Sequence, residues 1–239
     1  AHAGKDANAP VAQFQQVGRI MVDSKQSETA ARAFEQAKAA ADRGTWENAV
    51  MGMAQAYMEV KKFPEAAKAV EELLGKYTNT GFLVEANFIL CRSYAEIGQK
   101  LTDKAQQNAT FQKAIRAMNK VRKFSREPDI RIRAEMETAS LQILMGNKRD
   151  TTSSLMRMLM FGDTANAKVR PYLEEAFMMA LPLLKEQEMY TDILEQCEKY
   201  LQLFPTGKYV TQARMWRDDM KKRGVKSTQE APADKDRQL

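Results

Sequence analysis

The segment 204–213, which reads FPTGKYVTQA, repeats the spacing of an earlier segment, 77–86, which reads YTNTGFLVEA. In both, an aromatic residue is followed five positions later by a second aromatic residue, and four positions after that by alanine. The small polar residues between the two aromatics are typical of a turn. We therefore predict the same joint twice: one helix closes at the first aromatic residue and the next helix opens at the second.

Outward from these joints, apolar residues recur at the spacing of one helix face. The first copy has two helices joined by a turn at 63–64. Its stripe comprises Val50, Met53, Ala54, Tyr57, Ala66, Val70 and Leu73. Three further copies comprise Leu90, Cys91, Tyr94, Phe111, Ala114, Met118 and Val121; Ala139, Gly146, Thr151, Leu155 and Met158; and Phe177, Leu181, Leu184, Tyr190, Ile193, Cys197 and Tyr200. The sequence therefore predicts about ten helices in antiparallel pairs.

The gap between the two helices of a copy is constant except in the second copy. It is nine residues in three copies, for instance from Tyr57 to Ala66. In the second copy Tyr94 and Ala114 are twenty residues apart, so about eleven residues, around 99–108, are inserted. Polar residues occupy three stripe positions of the third copy, which are Glu135, Thr138 and Gln142.

This pattern resembles the tetratricopeptide repeat (TPR), which has large, small and aromatic residues on its first helix and a small residue four before a large one on its second. The joints are similar to those of bacterial envelope TPR proteins, namely the lipoprotein of the outer-membrane β-barrel assembly machine and the periplasmic Tol-Pal-associated TPR protein. The resemblance covers about residues 47–216, and 29–43 is a candidate second helix of a degenerate first copy. It implies an all-α, TPR-like α-solenoid of antiparallel helix pairs with a C-terminal capping helix at about 208–222.

Both ends of the chain are polar and lack helical periodicity. We therefore expect a disordered N-terminus at 1–10, a TPR-like superhelical domain at 11–223 and a disordered polar tail at 224–239. No run of apolar residues approaches the length of about 18 that a membrane-spanning helix needs, so the sequence predicts no such helix.

The composition argues against an enzyme. The 239 residues include one histidine, and the sequence contains no Gly-rich phosphate loop, no serine elbow and no cysteine pair at zinc-binding spacing. Cys91 and Cys197 occupy stripe positions, which indicates small buried residues rather than a nucleophile or a metal site. We predict no catalytic residues, no bound metal and no cofactor.

The resemblance implies that the first helices of the pairs line a concave, partner-binding surface. The residues that this register places in the partner-binding groove are Met51, Gln55, Met58, Phe88, Arg92, Arg133, Met136 and Met178. Methionine suits an adaptable binding surface because its unbranched side chain repacks easily, and the chain has 15. The competing interpretation is that most of these residues, being at helical spacing, belong to the core.

A basic stripe follows the second helix of the second copy, at positions i, i+3, i+7 and i+10: Lys113, Arg116, Lys120 and Lys123. Such a stripe suits an anionic polymer, anionic lipid headgroups or an acidic protein. Aromatic residues for base stacking are not interleaved with it, which disfavours nucleic acid. The net charge of +6 is spread over the whole chain, so a solvated helix face is the simpler explanation of the stripe.

Together these patterns favour a non-enzymatic TPR adaptor or scaffold that binds another protein, or an extended segment of one. The envelope-type joints favour partners in a bacterial envelope complex, by analogy of fold. The opening residues AHAG have the small-x-small pattern of a signal-peptidase site, which favours a periplasmic or exported protein over a cytoplasmic one. The alternative function is binding of an anionic polymer or a membrane surface through the basic stripe, with peripheral membrane association.

Overall fold

The computed structural model describes residues 27–38 and 42–228. These residues form ten helices, which are α1 (Ser27–Lys38), α2 (Arg43–Glu59), α3 (Phe63–Lys76), α4 (Leu83–Gln99), α5 (Lys104–Phe124), α6 (Pro128–Leu144), α7 (Lys148–Phe161), α8 (Arg170–Glu186), α9 (Tyr190–Leu203) and α10 (Val210–Lys222). No strand occurs in those two ranges, and the prediction of an all-α fold is confirmed. The predictions for 1–10 and for most of the tail lie outside the described residues.

Across the described helices, none combines the length and the apolar character needed to cross a lipid bilayer.

The chain divides into two compact units, with the boundary between Leu141 and Gln142. In the first unit α1 packs on α2, α2 on α3, α3 on α4 and α4 on α5, and α2 also packs against α4. In the second unit α7 packs on α8, α8 on α9 and α9 on α10. The boundary falls inside α6, the helix in which polar residues interrupt the apolar stripe. The outer limits of the folded region, 11 and 223, stay predictions.

Three helix–helix turns share one backbone conformation. Lys61 (φ 59°), Gly146 (φ 84°) and Glu188 (φ 57°) all lie in the left-handed region. Each of them comes four residues after the last stripe position of a first helix. In each turn the next amide donates to the carbonyl five residues back, at 2.8 to 3.0 Å, which ends the helix with a satisfied carbonyl. The third copy is therefore in register with the first and fourth copies, despite its polar stripe positions. Gly146, which we predicted in the stripe of the third copy, lies exposed in the turn instead.

The predicted stripes form the core of both units. The stripe residues with no exposed surface include Val50, Ala54, Ala66, Val70, Leu73, Ala114, Met118, Val121, Leu155, Leu181, Leu184, Ile193 and Cys197. Burial of each large apolar side chain stabilises the fold by about 1.5–3 kcal/mol, so packing of these faces outweighs helix propensity. The last helix, α10, buries only Ala213 and Met220, as a capping helix does.

The insertion in the second copy lengthens both helices of its pair. Compared with α2, α4 runs three residues further past its last stripe residue, and the loop after it is one residue longer. Compared with α3, α5 begins seven residues earlier relative to Ala114, which is the equivalent of Ala66. Within this extension the helices approach closely at Gly98, where a Cβ atom would lie 2.6 Å from the Phe111 ring. The inserted residues are therefore a structured part of the pair.

A buried carboxylate secures the first joint. Glu47, near the start of α2, is 8% exposed and accepts hydrogen bonds from Arg43 Nε at 2.7 Å and from Thr80 Oγ1 at 2.8 Å. The Arg43 guanidinium also lies 4.5 Å from the centroid of the Tyr77 ring. Glu47 thus ties the start of one helix pair to the turn that follows the pair.

The second joint repeats this arrangement. Glu174, near the start of α8, accepts from Tyr200 OH at 2.6 Å and from the Lys208 backbone amide at 2.7 Å. Arg170, four residues before it, lies 3.8 Å from its carboxylate and 5.0 Å from the Phe204 ring centroid. The Arg-x3-Glu pair recurs after 127 residues, the interval that separates the two joints, and sequence analysis missed it.

Candidate functional site

A hollow of about 770 Å³ opens on the first unit. Its walls come from α2, α4 and α6, which are the first helices of three successive pairs, and from the turn before α4. Its lining residues are Gln55, Met58, Glu59, Gly81, Val84, Glu85, Phe88, Ile89, Cys91, Arg92, Ala95, Glu96, Ile130, Arg133 and Glu137. First helices are the elements on which the TPR resemblance predicts a binding surface.

The polar lining comes from one narrow stripe on each helix. Since α1, α3 and α4 all pack against α2, only Gln55 and Glu59 remain exposed in the second half of α2. These two residues are four apart, which places them on one helix face a turn apart. The same spacing recurs on the other two walls as Arg92 with Glu96 and Arg133 with Glu137.

Side-chain contacts link the walls. Gln55 Nε2 on α2 donates to Glu85 Oε1 on α4 at 2.6 Å. The Arg133 guanidinium on α6 lies 4.2 Å from the centroid of the Phe88 ring on α4. A cation over an aromatic face contributes about 0.5–1 kcal/mol at an exposed site, so these contacts help to hold the hollow open in one shape.

The lining holds more negatively charged than positively charged side chains. Four carboxylates and two guanidinium groups contribute to it, belonging to Glu59, Glu85, Glu96, Glu137, Arg92 and Arg133. The ion pairs found among the described residues involve none of these six side chains. The hollow is therefore lined by charges that are left to solvent or to a partner.

Both cysteines are free and buried, as predicted for stripe positions. Burial, together with the Glu137 carboxylate, raises the pKa of the Cys91 thiol to about 12, against the opposing effect of Arg133. Burial also raises the pKa of the Cys197 thiol to about 12. At neutral pH both thiols stay protonated, so neither is activated as a nucleophile.

Five of the eight predicted groove residues line the hollow: Gln55, Met58, Phe88, Arg92 and Arg133. Met51 and Met136 lie in the core instead, 2% and 7% exposed, and we correct their assignment to the groove surface. Met178 is half-buried on α8 in the second unit. Met58 is the one methionine among the lining residues, so this hollow is not rich in methionine. Whether these residues bind a partner stays a prediction.

Sequence analysis missed several lining residues. Three carboxylates, those of Glu59, Glu96 and Glu137, lie one helical turn after the predicted Gln55, Arg92 and Arg133. The recurring spacing of four was the available signal for them. The apolar members Val84, Ile89 and Ile130 had no comparable signal, since half-buried positions flank every core stripe.

The basic stripe lies on α5, where Lys113, Arg116, Lys120 and Lys123 are all exposed. The helix carries no aspartate or glutamate over its 21 residues. At its end, the Lys123 ammonium lies 5.4 Å from the ring centroid of Phe124, whose side chain is 56% exposed. The predicted stripe is thus one solvent-facing surface of uniform charge, next to an exposed aromatic ring.

In the described part of the chain, His, Cys, Asp and Glu side chains do not gather in groups of three or more that could hold a metal ion.

No protein-family model matches this chain, and no curated protein matches it. Among solved structures, the chain is similar to the crystal structure of TTC0263, a thermophilic TPR protein of Thermus thermophilus. The TM-score is 0.50 at 14% sequence identity, over 88% of this chain and 98% of that chain. At this identity the likeness concerns the fold alone, and it shows a TPR-like helical-repeat fold.

Proposed function

Taking the TPR-like helical-repeat fold as the premise, we propose that this chain is a non-enzymatic scaffold that binds a segment of another protein in the hollow of its first unit. The observation that carries the proposal is the lining, in which three successive first helices present apolar side chains beside charged groups outside any described ion pair. The volume of about 770 Å³ is within the range of roughly 300–1,000 Å³ that is typical of small-molecule sites, so the hollow has room for a few side chains of a bound segment. Stacked helix pairs commonly use such surfaces for binding.

The residues present support a binding role over catalysis. The chain has one histidine among 239 residues, and burial holds both thiols in the protonated form. General acid–base or nucleophilic catalysis needs a group whose pKa is matched to its task. We propose that the chain carries no catalytic residues and no cofactor, and that the hollow acts through affinity alone.

Site-specific photocrosslinking in the native host tests the binding site. A benzophenone amino acid at position 84, in the hollow, should crosslink one or two proteins, because Val84 faces the hollow from α4. The matched control carries the same group at position 65, an exposed position on α3 outside the hollow. Equal crosslinking at both positions, or none at position 84, would contradict the proposed site.

We also propose that the chain works in a bacterial envelope complex as a periplasmic or exported protein. The support is the resemblance of the two joints, 77–86 and 204–213, to those of envelope TPR proteins. Osmotic-shock fractionation of the native host, with an antibody against the chain, tests this location. Recovery together with cytoplasmic marker proteins would overturn it in favour of a cytoplasmic scaffold.

A second candidate function rests on α5, whose exposed stripe has no acidic residue on its own helix. The exposed Phe124 beside Lys123 favours an anionic membrane surface over a soluble polymer, because an aromatic ring can enter the headgroup region. Vesicles containing phosphatidylglycerol should then retain the chain at low salt and release it at high salt. Changing all four stripe residues to alanine should abolish retention; unchanged retention would leave the stripe a solvated helix face.

A further inference from the structure

The hollow has the opposite sign of charge to the chain that forms it. The whole chain carries a formal net charge of +6, whereas the lining of the hollow holds two more carboxylates than guanidinium groups. The basic stripe on α5 contributes nothing to that lining. A partner that enters this hollow therefore meets a net negative charge, although the chain as a whole is positively charged.

The carboxylates of the hollow are not neutralised by neighbouring side chains. Glu59, Glu96 and Glu137 take part in none of the ion pairs found among the described residues. Glu85 accepts a hydrogen bond from the neutral Gln55 amide, which leaves its charge in place. Of the two guanidinium groups, that of Arg133 lies over the Phe88 ring. The negative charge of the hollow is thus available to a ligand.

Two of these carboxylates lie at one end of the hollow. Glu59 is the last residue of α2, and Glu96 occupies the equivalent position of α4, 37 residues later. The two side-chain charges come from neighbouring helices, so this end of the hollow favours a cation.

Part of the remaining lining is apolar and half-buried. Val84, Phe88 and Ile89 on α4, and Ile130 on α6, have intermediate exposure, so each keeps part of its apolar surface open to the hollow. Apolar surface of this kind gains stability when a partner side chain covers it. The hollow thus combines an apolar patch with a carboxylate-rich end.

We propose that the occupant of the hollow is a basic peptide segment of a partner protein, in which lysine or arginine flanks an apolar side chain. The apolar side chain covers the patch around Phe88, and a basic side chain lies over Glu59 and Glu96. This inference rests on the proposed function and specifies its ligand class. Acidic segments are disfavoured because they would bring like charge to the same carboxylates.

The test is selection of short random peptides on the full chain, followed by affinity measurement on the unchanged chain and its variants. Recovered peptides should be rich in lysine or arginine around an apolar residue, and should crosslink to a benzophenone at position 84 but not at position 65. The variant E59Q/E96Q should bind them about tenfold more weakly, since two charge contacts with the peptide are lost. Their affinity for the unchanged chain should also fall as salt rises.

The matched control is E65Q/E127Q, which removes two exposed carboxylates that lie outside the hollow. Its affinity should stay within about twofold of that of the unchanged chain. Peptides that crosslink at position 84 but lack basic residues, or bind E59Q/E96Q equally well, would overturn the charge preference while leaving the proposed function intact. A failure to recover any peptide that crosslinks at position 84 would overturn both proposals.

Discussion

Replacement of Tyr94 tests how the first unit is packed beside its hollow. Tyr94 on α4 is 8% exposed, and its hydroxyl donates a hydrogen bond to the Glu71 carboxylate on α3. The Lys113 ammonium on α5 lies 5.3 Å from its ring centroid. One side chain thus joins three consecutive helices, and its loss should destabilise all of their contacts.

Two substitutions separate the ring from the hydroxyl. Tyr94→Ala removes a buried aromatic ring and should lower the free energy of unfolding by about 3–5 kcal/mol. Tyr94→Phe keeps the ring and removes one hydrogen bond, so it should cost about 1 kcal/mol. The cost stays small because Glu71 is exposed and is hydrated once the hydroxyl is gone. Most of the stabilisation by Tyr94 should therefore come from packing.

The hydroxyl also predicts a pH dependence. Burial, and then the hydrogen bond to the charged Glu71, raise the pKa of Tyr94 above its ordinary value of 10.0. Because the folded pKa is the higher one, the stabilisation is complete below about pH 10 and is lost as pH rises from there towards the folded pKa. Each such group lowers the free energy of unfolding by up to about 1.4 kcal/mol per pH unit in that window. Tyr94→Phe should remove this part of the alkaline slope.

Urea unfolding followed by Trp46 fluorescence measures these changes in the first unit. The chain has two tryptophans, so a W216F background leaves Trp46 as the only indole reporter. Phe124→Ala is the control, because that aromatic side chain on α5 is 56% exposed and should cost less than about 0.5 kcal/mol. A loss below about 1 kcal/mol for Tyr94→Ala would refute the packing argument. A loss for Tyr94→Phe as large as that for Tyr94→Ala would assign the effect to the hydrogen bond instead.

Three further predictions concern other parts of the chain. Glu174→Gln should destabilise the second unit by about 2 kcal/mol, because two donors lose a charged acceptor, whereas Glu175→Gln, beside it and exposed, should be neutral. Urea unfolding followed by the fluorescence of Trp216, which lies in the second unit, in a W46F background measures both changes. Gly98→Ala should lower the free energy of unfolding by about 1–2 kcal/mol, because the added Cβ would clash with the buried Phe111 ring. Gly75→Ala, with open space around it, should raise the free energy of unfolding by about 0.5 kcal/mol. The opposite order would refute the close approach of α4 and α5. Both cysteines should resist a thiol reagent in the folded chain near neutral pH and react after unfolding, and rapid labelling of the folded chain would contradict their burial.

The features that could be predicted from the sequence depend on neighbours at short, fixed spacing. The two joints, the buried stripes and the position of the insertion follow from residues three, four or nine positions apart. The turn conformation at Lys61 recurs at Gly146 and Glu188 because the same short connection joins the two helices of those three pairs. Periodicity of this kind determines which face of a helix is buried.

Periodicity does not determine how wide the buried face is. Because α1, α3 and α4 all pack against α2, Met51 is buried although it lies beside the exposed Gln55 stripe. Burial of Glu47 depends on Thr80, which follows it by 33 residues, and no local pattern indicates such a partner. The carboxylates of the hollow could have been found from the sequence, since Glu59 lies one turn after a residue already assigned to the groove.

The carboxylates at the two joints bond to residues that are synthesised after them, which bears on the order in which the repeats fold. Glu47 is bonded to a residue 33 positions later, and Glu174 to one 34 positions later. These intervals are about the length of one TPR, so these two helix pairs obtain their closing hydrogen bonds only when the residues that follow each pair have been made. In a chain that leaves the ribosome N-terminal end first, both pairs are therefore completed by residues synthesised after them.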